Sequence, residues 1–433
     1  MDSFEQARSL FLEGVQHFEA GRFAPAEQCF RASLQRLPGR ASTRINLAAS
    51  CLALGRAGEA LAELDAVLES EPQHLDAWCH RARALAALGR DAEAAASADH
   101  VVAAEPGHAQ AWYLRATALE RLRRYDEARP AFERLLALEP THVEARFRLG
   151  QILQRQGRPA EALACLDRVV DAVPDHAGAW SQRGSLLKDL GRPVEAAAAY
   201  ERAIALGADA ELHRFYLAAL QGRADAPLAP RRYVQSLFDD YADGFDRHLV
   251  EVLGYRAHQE LVAPLASLQP AGFDAALDLG CGTGLCGPLL RPMARRLEGV
   301  DLSQPMLDRA AALGVYDRLH CADLVEHLGG CAVAEHDLLL AADVFIYVGA
   351  LEGVFAGAMR VLRAGGLFCF SVEQADDAQA VVLHTQLRYA HSLPYLRRLA
   401  AQHGLQLLQA TPRPIRQDRT RAVPGLFVYL RRP

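Results

Sequence analysis

The residues with the clearest chemical potential are a set of acids and three glycines. Asp278 interrupts the short apolar run Ala275, Ala276, Leu277 and Leu279, and Gly280, Gly282 and Gly284 follow it at period two. Three glycines so close together would weaken a strand or a helix. They mark a loop whose backbone bends sharply or lets a ligand approach closely. The next stretch, 285–290, resumes an apolar pattern with Pro288, which a helix tolerates in its first turn. Strand, glycine loop and helix in that order is a nucleotide-site layout. Gly282, Gly284 and Gly287 also spell GxGxxG, with Asp301 at roughly the separation expected of a dinucleotide site, so an NAD-dependent oxidoreductase stands as one alternative.

The elements that must position these acids follow in the sequence. Strand-like runs at 296–300, 318–321 and 337–342 end at or run into Asp301, Asp323 and Asp343, and a further run at 366–372 follows a glycine turn. With helical spans between them they predict a doubly wound, Rossmann-like parallel sheet. The tail adds a helix at 393–403, a strand at 405–411, a connector rich in arginine and proline, and a strand at 425–430, a closing pair that reads as antiparallel. Acids at successive strand ends stand at the carboxyl edge, where such a sheet binds its ligand. One carboxylate there can accept both hydroxyls of a ribose diol. An acid directly before the loop, as Asp278 is, would repel a pyrophosphate, which argues against the dinucleotide.

LDLGCGTG, GVDLSQPML and CADL, together with the closing strand pair, resemble the successive motifs of class I S-adenosylmethionine-dependent methyltransferases over roughly 233–433. The resemblance implies S-adenosyl-L-methionine as cofactor. Gly280, Gly282 and Gly284 would pass its methionyl and ribose parts, with Asp278 at the amino-acid end, whose ammonium welcomes an acid. Asp301, followed by Leu302, would take the ribose hydroxyls. Met306 would wall the adenine, and Asp323 with Leu324 would meet its edge. Ahead of the loop, Val234, Leu237, Phe238, Tyr241, Phe245, His248, Leu249 and Val252 recur at helical intervals, which suits amphipathic helices packed as a lid. Phe238, Tyr241 or Phe245 would then lie near the sulfonium.

Methyl transfer asks for alignment, exclusion of water and sometimes removal of a proton. Asp343, Tyr347, Glu373 and His391 are the candidates near the carboxyl edge, and His391 alone has an unperturbed titration suited to a base near neutral pH. No Asn or Asp followed by two prolines and an aromatic comes after Ala341, no Pro-Cys pair occurs, and no metal-ligand cluster stands out in the sequence. The methyl acceptor is left open.

The first half is a repeat. Pro38, Pro72, Pro106, Pro140 and Pro174 keep a 34-residue period, as do Gly21, Gly55, Gly89, Gly157 and Gly191, with Arg123 in the fourth unit. Ala26, Ala60, Ala94, Ala128, Ala162 and Ala196 hold the same beat without exception. The glycine ends one helix in a left-handed turn, the proline stops the next, and the alanine lets two helices approach. Trp78, Trp112 and Trp180, with Leu10, Arg44 and Arg146 in the other units, and the small series Gly14, Ala48, Ala82, Ala116, Gly150 and Gly184 complete a pattern that resembles the tetratricopeptide repeat. Six units span about 7–208, and 209–222 is expected as a solvating cap. The resemblance implies a protein or peptide partner in the concave groove. Repeat register directs Tyr113, Glu120, Arg121, Phe147, Gln151, Gln154, Arg155, Ser181 and Lys188 toward it. Arg22, Arg56, Arg90, Arg124, Arg158 and Arg192, one in each inter-helix turn, read as exposed turn charge.

At 433 residues the chain is long enough for two domains, and its net charge of −6 speaks against general nucleic-acid binding. The amino terminus lacks the basic start and apolar core of a signal peptide, and no apolar stretch reads as a membrane segment. Nine cysteines without a CxxC pair suit reduced thiols in a cytoplasmic protein. The expected organisation is an all-α tetratricopeptide solenoid at 1–222, a linker at 223–232, and a methyltransferase domain with amino-terminal lid helices at 233–433. A second alternative keeps the repeats as the working part of a scaffold, with a cofactor-binding but inactive second domain.

Overall fold

The computed structural model describes residues 3–222, 228–241, 245–246, 249, 254–418 and 421–433. Residues 223–227 of the expected linker, and His248 and Val252 of the expected lid, lie outside the described residues, as does the side chain of Tyr241. The chain divides into two compact units, Met1–Ala199 and Tyr200–Pro433.

The first unit is an all-helical solenoid built from helix hairpins, beginning with Ser3–Glu19 and Phe23–Arg36 and repeating through Ala177–Asp189. Each periodic signal has a local physical cause. Gly21, Gly55, Gly89, Gly157 and Gly191 have φ between +70° and +77°, the left-handed turn that ends a helix, and Arg123 adopts φ +57° in the fourth unit without a glycine. The alanines of the invariant series within this unit are almost completely buried. At Gly14 an added Cβ would lie 2.6 Å from Phe30 Cε1, so the small residue there is a packing requirement.

Trp78, Trp112 and Trp180 each donate the indole N–H to the carbonyl of the preceding proline, Pro72, Pro106 and Pro174, at 2.8–3.0 Å. Arg146, which departs from tryptophan at this position, donates its guanidinium to Pro140 O in the same way. The turn arginines from Arg56 to Arg192 also have acidic partners. Arg90, Arg124 and Arg158 fork onto Glu93, Glu127 and Glu161, each three residues ahead in the first turn of the next helix. They are exposed turn charges engaged with the acidic side chain beside them.

The second unit opens with the remainder of helix Pro193–Ala205 and helix Ala210–Gln221. Asp209 accepts Leu212 N–H at its start, and Gly222 ends it at φ +59°. This helix, expected as a solvating cap, buries Phe215 in a cluster with Leu383, Leu387 and Tyr389.

A mixed sheet forms the core. Its strands are β1 Phe273–Leu279, β2 Ala294–Asp301, β3 Arg318–Cys321, β4 His336–Ala341, β5 Leu362–Gln374, β6 Val381–Leu383, β7 Tyr389–His391, β8 Gln406–Asp418 and β9 Arg421–Arg431. The order β3-β2-β1-β4-β5 is parallel throughout; β9 adds antiparallel to β5, and β8 antiparallel to β9. Successive residues serve opposite faces. Leu338 and Leu340 enter one core cluster with Leu297 and Leu367, whereas Leu339 and Ala341 enter the other with Val300 and Phe368.

Two details differ from the sequence expectation. The described residues of the connector, 412–418 and 421–424, are not irregular but paired as the ends of β8 and β9, with a register shift between Pro414 and Arg416. The β6–β7 hairpin, which carried no sequence signal above its surroundings, adds to the end of β5 through Glu373 and Gln374.

Candidate functional site

The glycine loop between β1 and the short helix Gly287–Leu290 has three glycines in left-handed backbone, each for its own reason. A Cβ on Gly280 would lie 2.6 Å from Val344 Cγ2, and one on Gly284 would lie 2.8 Å from Leu313 Cδ1. A Cβ on Gly282 would meet nothing within 4 Å. Gly280 and Gly284 therefore seat the loop against neighbouring side chains, and Gly282 faces open space. That space is a cavity of about 440 Å³, and its wall includes Asp278, Gly280, Gly282, Asp301, Leu302, Met306, Asp323, Leu324, Asp343 and Tyr347. Gly284 is not part of this wall.

Asp278, one residue from the end of β1, is almost completely buried and accepts the Tyr316 hydroxyl at 2.7 Å on Oδ2. Burial outweighs that hydrogen bond and pushes its carboxyl up to about 7. Asp301 closes β2. Its Oδ2 accepts Gly282 N–H at 2.9 Å and its Oδ1 accepts Ser303 N–H at 2.9 Å, and burial raises its titration as well. Leu302 N–H also donates to this carboxylate, so three backbone donors leave it one acceptor site for a further donor. Asp323 caps helix Leu324–Gly330 by accepting Val325 and Glu326 N–H on Oδ1 at 2.8 and 3.1 Å. Met306 is fully buried in the first turn of helix Gln304–Ala312.

Helix Arg231–Tyr241 covers this wall. Asp239 accepts the Ser303 hydroxyl at 2.6 Å, and Asp246 accepts the Thr283 hydroxyl from inside the glycine loop. Phe238 stands edge-on to Tyr347, with ring centroids 5.1 Å apart, and near Phe245 at 6.1 Å. Phe238 and Phe245 both line the cavity.

On the far side, Asp343 sits two residues past β4 at φ +59° and accepts Arg416 Nη1 on both carboxylate oxygens, at 3.1 and 2.9 Å. Arg416 also donates to Glu373, and it is 4% exposed. Burial moves the Asp343 carboxyl up to about 6 against the opposing pull of Arg416. Burial likewise raises the Tyr347 phenol, opposed first by the charge of Arg388.

His391 requires a correction. It lies within β7, fully buried, with Nε2 2.8 Å from Gly349 O, and it is outside the cavity wall. Burial lowers its titration to about 4. A base near neutral pH needs both reach and a matched titration, and this imidazole has neither. Sequence reasoning missed Tyr316, Arg416 and Arg388. Arg416 lay in the stretch read as a connector, and nothing in the order of residues announced that it faces β5.

In the solenoid, Glu120, Arg121, Gln151, Gln154 and Arg155 share one recess with Arg123, Tyr125, Arg148, Ile152 and Gln182. Tyr113 stacks on His142 at 5.2 Å, and Phe147 lies 4.7 Å from His176. Both histidines also cap their helices by accepting Ala145 and Ala179 N–H. Lys188 lies 3.0 Å from Asp189.

Fold and site together define a class: a tetratricopeptide-repeat solenoid joined to a methyltransferase domain. Tetratricopeptide repeat family models match residues 17–78 and 121–186, 93–143, and 177–207, and a methyltransferase domain model matches 277–370. The chain is 34% identical over 142 residues to human Methyltransferase-like protein 27, covering 31% of this chain and 55% of that protein. It is 29% identical over 179 residues to a malonyl-[acyl-carrier protein] O-methyltransferase of Methylovorus sp. (strain MP688), covering 39% and 59%. The chain thus spans less than two thirds of either relative's length. A crystal structure of YrrB, a tetratricopeptide repeat protein with an unusual peptide-binding site, aligns at 24% identity and a TM-score of 0.39, covering 41% of this chain and 92% of that one. Among the described residues no helix is long and apolar enough to cross a membrane.

Proposed function

We propose that this protein is an S-adenosylmethionine-dependent methyltransferase whose repeats recruit a protein or peptide. The observation that carries the reading is the convergence of Asp278, Asp301 and Asp323 with the open backbone of Gly282 on one cavity wall. Its volume of about 440 Å³ lies within the range of small-ligand pockets. The polar groups suit an adenosyl ligand with a cationic amino-acid tail. Asp278 offers the ammonium a buried carboxylate, and Asp301 offers a ribose hydroxyl its remaining acceptor site. Met306, Leu302 and Leu324 offer the adenine an apolar wall, and Asp323 an acceptor at its edge.

When bound, the cofactor supplies an electrophilic methyl group. The chain's own part is to bind, orient and exclude water. Phe238 and Tyr347 present aromatic surface that a sulfonium charge favours. Asp343, titrating near 6 in its pair with Arg416, and Tyr347 beside it are the acceptor-side groups best placed to orient a nucleophile or take its proton.

The test is calorimetric titration of the full chain with S-adenosylhomocysteine, followed by transfer of labelled methyl from S-adenosylmethionine to a cell lysate. Saturable binding with a labelled protein band that vanishes on deletion of the repeats is the expected result. Binding without transfer to any fraction would favour the scaffold alternative.

A further inference from the structure

Among the described residues, three groups bring three possible metal ligands within 4.8 Å of one another: Glu13, His17 and Cys29; Glu27, Cys51 and Glu59; and Cys331, Glu335 and His336. In the second group both carboxylates are already held by Arg31 and Arg56. In the first, His17 and Glu13 form a solvent-facing pair with side chains 23% and 56% exposed. The third group differs because His336 is fully buried and neither of its ring nitrogens has a hydrogen-bond partner.

A buried imidazole with both nitrogens orphaned is costly and demands an explanation, of which an unseen ion is one. The surroundings are polar and negatively charged. Glu298, 5% exposed, places Oε2 3.9 Å from His336 Nε2 and 3.5 Å from His320 Nε2, and its Oε1 is also without a hydrogen-bond partner. Arg296 approaches Glu298 and Glu335 at 3.5 Å, a loose contact that could be displaced. Cys331 and Glu335 are half-buried, so an ion could enter from solvent.

We infer that Cys331, Glu335 and His336 bind a divalent transition metal, with Glu298 as the adjoining carboxylate. Thiolate, imidazole and carboxylate together are a zinc-type donor set rather than a magnesium or calcium one. The site stands where β4 begins, and Asp343 follows the other end of that strand. A metal there would be structural. Cys331 is the cap residue at the end of helix Leu324–Gly330, whose opposite cap, Asp323, lines the cavity, so the ion would tie the far end of that helix to β4. The inference does not depend on the identity of the methyl donor.

The experiment uses the full chain, stripped with EDTA and titrated with zinc chloride or cobalt chloride. The expected result is one equivalent bound per chain, with a cobalt spectrum carrying a thiolate charge-transfer band that Cys331→Ser abolishes. X-ray absorption of the zinc-loaded wild-type chain should show one sulfur among nitrogen and oxygen ligands, a readout that stands even if the variant fails to fold. Substoichiometric uptake, a cobalt spectrum unchanged in C331S, or zinc without a sulfur ligand would each overturn the inference.

Discussion

Asp301 holds the backbone amide of Gly282 at 2.9 Å, so the acid at the end of β2 fastens the one glycine of the loop that faces open space. The same carboxylate accepts Ser303 N–H. Its place in the wall therefore joins loop geometry to the proposed ligand recognition. Asp301→Ala should weaken S-adenosylhomocysteine binding about tenfold to a hundredfold, the scale of charge-assisted hydrogen bonds. Asp301→Asn, which keeps one acceptor, should fall between. Calorimetric titration reads both.

Asp278 should make binding of the proposed cofactor depend on pH. Its carboxyl titrates near 7 in the ligand-free fold, and an ammonium partner requires the ionised form. Affinity should therefore fall by about tenfold per unit as pH drops below 7. Stability of the ligand-free protein moves the other way. Between the unfolded value near 4 and the folded value near 7, the folded state holds a proton that the unfolded chain has released, so raising pH through that window erodes stability. Asp278→Asn should flatten both profiles, measured by calorimetry and by denaturant unfolding from pH 5 to 8.

The glycines should separate by role. Any side chain at these positive φ values costs about 1–2 kcal/mol. Gly284→Ala adds a clash with Leu313 and an approach of 3.3 Å to Ala310 Cα, so it should lower the unfolding midpoint more than Gly282→Ala. Gly282→Ala, pointing a methyl into open space, should lose ligand affinity out of proportion to its stability change. Thermal unfolding with and without S-adenosylhomocysteine distinguishes the two.

In the solenoid, packing should outweigh surface charge. Ala162→Leu places three extra carbons where the native side chain is fully buried and should cost about 1–3 kcal/mol. Arg124→Ala, which removes an exposed fork to Glu127, should leave the urea midpoint nearly unchanged.

The repeat was legible because its period is carried by backbone requirements. A left-handed glycine, a helix-stopping proline and a fully buried alanine each tolerate few replacements, and Arg123, left-handed at φ +57°, shows one that is tolerated. β1 and β4 were legible because each is buried along most of its length and reads as a short apolar run, whereas β3, Arg318–Cys321, is half exposed and was placed by its run into Asp323. The acids at their ends were legible by position alone. What escaped depended on contacts distant in sequence. Tyr316 reaches back to Asp278, and Arg416 reaches Asp343 and Glu373 across the hairpin. His391 misled because its favourable reference titration says nothing of burial, which removes both access and basicity.

The central claim is that the wall of Asp278, Gly282, Asp301 and Asp323 receives an adenosyl ligand with an ammonium-bearing tail. Parallel thermal-shift titrations of the full chain with S-adenosylmethionine, S-adenosylhomocysteine and NAD test it most directly. A ligand at about 100 times its dissociation constant adds roughly 2.7 kcal/mol to the folded state. The prediction is stabilisation by both adenosyl ligands, reduced in Asp301→Ala, and none by NAD. Stabilisation by NAD with none by either adenosyl ligand would contradict it.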